Sequence, residues 1–257
     1  MSLLQARGLT RRYKLPRTTL FGAPPVLTAV DDISFDIVAG QTLGVVGESG
    51  SGKSTLAKMA MAFEAPDAGQ ILFEGQDIHA LGAGDLRRLR PDFQMIFQDP
   101  FSSLDPRRKV GWSIAEPLRA MGITAPERVA EAFEQVGLHS ADAGKYPHEF
   151  SGGQRQRIAI ARAIITRPKL LIADEAVSAL DVSVQAQILN LLMDLQDTLG
   201  LGILFISHDL AVVASICDTL LVMQRGRALE YGPATDILNT PSHAYTRSLI
   251  TAAGDTH

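Results

Sequence analysis

The sequence predicts an α/β domain, a doubly wound sheet with helices between parallel strands, and three observations predict it. Short apolar runs rich in β-branched residues recur at Thr42-Leu43-Gly44-Val45-Val46, Leu170-Leu171-Ile172-Ala173 and Gly202-Ile203-Leu204-Phe205-Ile206-Ser207, as buried parallel strands do. Between the last two, Val184, Ile188, Leu191, Leu192, Leu195 and Leu199 stand at helical spacing, and strands alternating with helices call for this layering. The first run is followed by a glycine-rich loop and then by the good helix formers Leu56-Ala57-Lys58-Met59-Ala60-Met61-Ala62.

Taken in order, residues 1–40 read as an antiparallel β region. Val26-Leu27-Thr28-Ala29-Val30 and Ile33-Ser34-Phe35-Asp36-Ile37 alternate in and out as two strands, closed by Ala39-Gly40. Residues 14–25 form a turn-rich insertion, expected as an exposed loop. Beyond the glycine loop, residues 69–75 read as a hairpin arm and residues 94–98 as a short buried strand. From Asp99 to about Arg167 the pattern is helical. There Thr124-Ala125-Pro126-Glu127 reads as a capping box with Thr124 as the cap, and Val129, Phe133 and Val136 mark one helix face. Residues 219–223 and 228–231, linked through Gln224-Arg225-Gly226-Arg227, read as a closing hairpin.

The chain's 257 residues are 46% hydrophobic and 20% charged, ordinary for a globular protein, and the net charge of −4 gives no basic field that would announce nucleic acid. No apolar stretch is long enough to cross a bilayer, and Met1-Ser2-Leu3-Leu4-Gln5-Ala6-Arg7-Gly8 offers no signal-peptide core, so a cytoplasmic location is expected unless a partner carries the chain to a membrane. The single cysteine, Cys217, excludes an intramolecular disulfide and a cysteine-based zinc module, and reads as a small buried residue.

The loop Gly47-Glu48-Ser49-Gly50-Ser51-Gly52-Lys53-Ser54-Thr55 satisfies G-x-x-x-x-G-K-[ST] between a strand and a helix, the context in which that pattern has meaning. Its glycines let successive N–H groups face a phosphate chain, and the helix N-terminus adds a favourable dipole. Lys53 supplies charge for the outer phosphates, and the Ser54 hydroxyl can ligate Mg²⁺. The spacing is not the dinucleotide G-x-G-x-x-G, which disfavours a Rossmann dehydrogenase and points to a nucleoside triphosphate.

Asp174 and Glu175 stand at the carboxyl end of their strand, where ligands of open α/β sheets bind. Asp174 can hold Mg²⁺, and Glu175 can orient an attacking water or take its proton. Gln98 ends its own strand, and its amide can touch both metal and water; a plain loop-entry glutamine is the alternative. His208 follows the strand ending at Ser207 and can bond a γ-phosphate, although a lone histidine there is more often structural. The other histidines, His79, His139, His148, His243 and His257, show no metal-ligand spacing. Ser151-Gly152-Gly153-Gln154 opens a helix whose apolar face is Ile158, Ala161 and Ile165 and which Pro168 ends. It is a second anion-binding helix end, which a single chain has no use for unless it serves a nucleotide held by another copy.

These motifs, in this order and with Ser178-Ala179-Leu180-Asp181 between Glu175 and His208, resemble the ATP-binding cassette (ABC) ATPases over nearly the full chain. The resemblance implies a RecA-like P-loop NTPase core with an antiparallel β subdomain and an inserted α-helical subdomain. It places the core and β subdomain at residues 1–98 and 168–231, the helical signature subdomain at 99–167 and a C-terminal extension at 232–257. It implies a head-to-tail dimer that sandwiches ATP, with Ser151 and Gly153 on the partner's γ-phosphate and Asp181 at the seam. Tyr13 is similar to the aromatic that stacks on adenine, set against the alternative of a packed β aromatic.

Residues 98–107, Pro147-His148-Glu149-Phe150, Tyr231-Gly232-Pro233 and His243-Ala244-Tyr245-Thr246-Arg247 resemble the dipeptide, oligopeptide and nickel importers within that family. Phe150 stands where the wider family has leucine, and the cysteine-rich tail of larger members is absent from this sequence, so no metal cluster is expected. The implied partners are a second ABC ATPase subunit, two transmembrane permease subunits and, indirectly, a solute-binding protein, at the cytoplasmic face of the membrane and with no nucleic acid. Two other readings stand beside the importer: a soluble nucleic-acid-associated ABC ATPase, which lacks the expected long heptads or tandem cassettes, and an accessory ATPase of a multisubunit complex.

Overall fold

The structure, a computed structural model, describes residues 2–17, 24–99 and 103–254. In chain order its strands are β1 (Ser2–Lys14), β2 (Val26–Val38), β3 (Thr42–Val46), β4 (Ala68–Phe73), β5 (Gln76–Asp77), β6 (Phe93–Ile96), β7 (Leu170–Asp174), β8 (Gly202–Ser207), β9 (Thr219–Gln224) and β10 (Arg227–Pro233). The helices used below are α1 (Lys53–Ala60), α2 (Ala83–Leu89), α3 (Val110–Ile114), α4 (Glu116–Ala120) and α5 (Pro126–Gln135). They continue with α6 (Gly152–Ile164), α7 (Val182–Leu199), α8 (Leu210–Ile216), α9 (Ala234–Asn239) and α10 (Ala244–Gly254). The chain divides into two compact units, residues 1–82 with 204–257, and residues 83–203.

In the first unit an antiparallel sheet runs β2-β1-β4-β5. Residues 26–37 do not form two strands: β2 is one strand of 13 residues. The Asp31-Asp32 pair, which reads as a break, is taken up as a bulge in which Asp32 adopts φ 55° while the ladder continues from Leu9↔Ile33 to Arg11↔Val30. A second bulge on β1, with Gly8 at φ 60°, offsets it between Ala6↔Phe35 and Leu9↔Ile33. Between Ala6 and Arg11 the one extra residue on each strand restores the register, so the buried faces stay aligned across this stretch. The β4–β5 hairpin turns through Glu74 and Gly75, both at positive φ, as a tight two-residue hairpin loop requires. Of the 14–25 insertion, Lys14 belongs to β1, and the Leu15 N–H donates to the Pro25 carbonyl at 2.8 Å; residues 18–23 lie outside the described residues.

The same unit holds strands in the order β10-β9-β3-β8, with β8 belonging to it from Leu204 onward. β3 is buried at every position and runs parallel to β9, from Leu43↔Thr219 to Val46↔Val222. Such burial of Leu43, Val45 and Val46 contributes about 1.5–3 kcal/mol per side chain. The β9–β10 hairpin turns through Arg225 and Gly226 alone, at φ 48° and 82°, so the linker is two residues rather than four. Cys217 is half-buried as a residue, and burial pushes its thiol well above the ordinary range, which makes it a packing group and not a nucleophile.

In the second unit β6 and β7 pair in parallel, from Phe93↔Leu170 to Ile96↔Ala173. Helix α6 packs against α3, α4, α5 and α7. Its apolar face, Ile158, Ala161 and Ile165, is almost completely buried. The capping box expected at Thr124 is not formed: α5 starts at Pro126, Ala125 is the N-cap, and no side chain caps it. Proline at the first helical position fixes φ and removes one orphan donor, so the residue before it becomes the cap and Thr124 falls one position too early.

Candidate active site

In the first unit the glycine loop leaves β3 and enters α1. Gly52 is the N-cap in the left-handed region at φ 106°, contributing no side chain to the helix end. A Cβ at Gly52 would meet the Ala29 carbonyl oxygen at 2.1 Å, and one at Gly47 would meet the Met223 carbonyl oxygen at the same distance. The loop is therefore backed by main chain from β2 and β9. The Gly226 N–H, in the β9–β10 turn, donates to the Ser51 carbonyl at 2.9 Å. Lys53 is buried, and its ammonium donates to the carbonyls of Gly47 at 2.6 Å and Glu48 at 2.9 Å. Ser54 is exposed, at the second position of α1.

His208 is exposed, in the turn between β8 and α8. Asp209 beside it caps α8, accepting from the N–H groups of Ala211 at 2.8 Å and Val212 at 3.3 Å, and its own N–H donates to Ser207 Oγ at 3.0 Å. Tyr13, on β1, donates its hydroxyl to Glu64 Oε2, and the Arg11 guanidinium lies 5.1 Å from its ring centroid. The Tyr13 bond, with Lys58 and Arg11 nearby, holds the Glu64 carboxyl below the usual carboxylate range against the opposing effect of burial.

In the second unit Asp174 ends β7, and Glu175 follows at φ 49°, a left-handed conformation that costs a non-glycine residue about 1–3 kcal/mol. Gln98 does not end its strand, since β6 stops at Ile96, but its Nε2 donates to Glu175 Oε2 at 2.7 Å. The turn after Glu175 is fixed from two sides. Ser178 donates its N–H and its hydroxyl to the Glu175 carbonyl at 3.1 and 3.0 Å. Gln185, one turn into α7, donates Nε2 to the carbonyls of Val177 at 3.1 Å and Leu180 at 3.0 Å. Asp181 is the N-cap residue of α7, exposed, with no side-chain capping bond. Gln185 is a positioning residue that sequence reading missed, because a glutamine in a helix's first turns reads as a solvated side chain.

Ser151 heads α6 in a reciprocal capping box with Gln154. Ser151 Oγ accepts from the Gln154 N–H at 3.3 Å, and Gln154 Oε1 accepts from the Ser151 N–H at 2.9 Å. Capping uses a lone pair of the hydroxyl, so its proton stays available to an anion. Gly153 has a further reason to be glycine: a Cβ there would lie 2.6 Å from Val184 Cγ1, on α7.

A family model described as "ABC transporter" matches residues 30–178, more than half of the chain. The glutathione import ATP-binding protein GsiA of Salmonella paratyphi A is 53% identical over 255 residues, covering 97% of this chain and 41% of that protein. Its counterpart from Escherichia coli strain K12 is 50% identical over 254 residues, with the same coverage. The chain thus spans about two fifths of the length of these curated relatives. Among solved structures, cbiO1 from Clostridium perfringens, part of the ABC transporter complex cbiONQ, superposes with a TM-score of 0.79 at 26% identity over 99% of this chain and 98% of that one. The dimeric post-hydrolysis state of the ATP-binding cassette MJ0796 bound to ADP and Pi gives 0.78 at 25% identity, over 90% and 98%. The RecA-like P-loop fold is that of the ABC ATPase cassettes, and the chain belongs to the ABC transporter family.

Proposed function

We propose that this chain binds and hydrolyses ATP as the motor of a membrane importer for peptides or a related small solute. The observation that carries hydrolysis, beyond binding, is the Gln98–Glu175 contact at 2.7 Å on a carboxylate held in a strained turn. Such a turn persists only where the surroundings enforce it, and it aims one carboxylate in one direction. In this reading Lys53 and the loop N–H groups of residues 47–55 bind the phosphates. Glu175 takes a proton from water as its oxygen attacks the γ-phosphorus and the bond to the β–γ bridging oxygen breaks. Gln98 orients that water, and His208 senses the γ-phosphate.

The Ser54 hydroxyl, the Gln98 amide oxygen and the Asp174 carboxylate are hard oxygen donors that suit Mg²⁺, which when bound would neutralise phosphate charge. Tyr13 would stack on adenine through the ring face away from Arg11. Ser151, Gly152, Gly153 and Gln154 would grip the γ-phosphate of a nucleotide on a second cassette, with Asp181 at the seam. Two permease subunits would hold the pair at the cytoplasmic face of the membrane, supplied by a solute-binding protein. In the same reading the 99–167 lobe bears the signature helix, and residues 232–257 are an extension. The peptide reading is supported by the relatives named for import of glutathione, itself a tripeptide.

The test is phosphate release from MgATP by the purified chain and by Glu175→Gln. The variant is expected to turn over roughly 10²–10⁴ times more slowly while binding ATP normally. Near-normal hydrolysis in the variant removes Glu175 from this role. Co-purification of the tagged chain with two polytopic membrane proteins supports the importer; capture in a soluble complex without them overturns it.

A further inference from the structure

We propose that Tyr245 is a positioning residue for the phosphate loop, and that the segment after β10 serves to hold its hydroxyl against the main chain of Glu48. The inference rests on the reading of that loop as the nucleotide cradle. The Glu48 N–H donates to Tyr245 Oη at 3.0 Å, across 197 residues of sequence. Glu48 is the second residue of the loop, and its carbonyl is one of the two that accept the Lys53 ammonium. The Gly47 carbonyl is the other, and it belongs to the same peptide group as the Glu48 N–H, so that one peptide group joins the tyrosine on one side to the lysine on the other.

The tyrosine is itself held from several directions. Its ring is buried, with 8% of the residue exposed, and α10 packs against α8. The Tyr245 N–H donates to His243 Nδ1 at 3.1 Å. Upstream, a Glu230 carboxylate oxygen on β10 accepts from the Ser242 N–H at 2.5 Å and the His243 N–H at 3.3 Å, and also from the Ser242 hydroxyl. Arg247 donates to the carbonyls of Pro241 at 3.0 Å and Ser242 at 3.1 Å, closing the same turn. Burial raises the Tyr245 pKa, so the phenol stays neutral.

Gly47 and Gly52 are fixed at the two flanks of the loop by the carbonyls of Met223 and Ala29, whereas Gly50 at the tip has open space around it. Tyr245 supplies a fixed point between flank and tip. Without it the Glu48 peptide can rotate, and the N–H groups that follow lose part of their alignment before a phosphate arrives.

The experiment compares wild type, Tyr245→Phe, Glu230→Gln and Tyr231→Phe. It titrates each with a fluorescent ATP analogue in Mg²⁺ and measures hydrogen exchange over residues 47–53 without nucleotide. Phenylalanine keeps the ring packing and removes one hydroxyl, and Tyr231→Phe removes another hydroxyl of the same unit, one that bonds the main chain of Asp36. Tyr245→Phe is expected to weaken binding about three- to tenfold, the effect of one lost hydrogen bond, and to speed exchange at the Glu48 amide. Glu230→Gln should do the same to a smaller degree, while Tyr231→Phe leaves both readouts at the wild-type value. Wild-type affinity and wild-type exchange in Tyr245→Phe overturn the inference, as do equal losses in the two phenylalanine variants. A wild-type chain that binds no analogue overturns the nucleotide reading itself, and this inference with it.

Discussion

Gly47, Gly50 and Gly52 are one residue type and differ in what surrounds them. At Gly50, φ is 79° and nothing lies within 4 Å of an added Cβ; at Gly52, φ is 106° and the Ala29 carbonyl oxygen lies 2.1 Å away. Gly50→Ala should therefore cost only the left-handed penalty of about 1–2 kcal/mol. Gly52→Ala adds a collision with main chain that no rotamer relieves, and should cost about 3 kcal/mol or more. Urea unfolding of the two variants reads the difference as a lower midpoint at unchanged slope. Equal midpoints would mean that β2 gives way and the loop is not rigidly backed. The loop was legible in the sequence because residue type and spacing are local. Its backing was not, since the Ala29 and Met223 carbonyls arrive from strands distant in the chain, and Tyr245 bonds Glu48 from the far end of it.

Elements were legible where one local signal decides them and illegible where two compete. Ser151 was readable as a cap from its residue type at the head of the helix, and its glutamine partner three residues on, with no proline between, completes a box in the structure. At Thr124 the same pattern contains Pro126, and the proline sets the helix start, leaving Ala125 as the cap. Substitution should separate the two: Ser151→Ala is expected to lower stability by about 0.5–2 kcal/mol, and Thr124→Ala to stay within about 0.5 kcal/mol. Thermal unfolding of both variants checks this, and a Thr124→Ala loss matching that of Ser151→Ala would restore the threonine as a cap. The single long β2 was hidden for a related reason. Asp31-Asp32 reads as a turn by composition, but pairing with β1 along the whole strand favours absorbing it as a bulge.

At the scale of the molecule, the sequence order of motifs gave the cassette fold, whereas the division into units at residues 82 and 203 follows packing that no motif records. The loop, Lys53 and His208 belong to one unit, and Gln98, Glu175, Asp181 and the Ser151 helix end to the other. A helix end with a completed capping box, a hydroxyl proton to donate and glycine N–H groups suits an anion, and in the proposed function that anion is the γ-phosphate on a second cassette. The Glu175→Gln protein is therefore expected to change from monomer to dimer on size-exclusion chromatography with light scattering when MgATP is added, and to stay monomeric with MgADP. Lys53→Ala should remain a monomer with either nucleotide. Nucleotide bound at a hundred times its dissociation constant adds about 2.7 kcal/mol, which in a chain of this size raises the melting temperature by about 5–10 °C. That shift should appear in Glu175→Gln and vanish in Lys53→Ala. A Glu175→Gln chain that shows the thermal shift yet stays monomeric, alone and when mixed with a second ABC ATPase subunit, would leave nucleotide binding intact. It would remove the shared site, because the Ser151 helix end would then have no phosphate to hold.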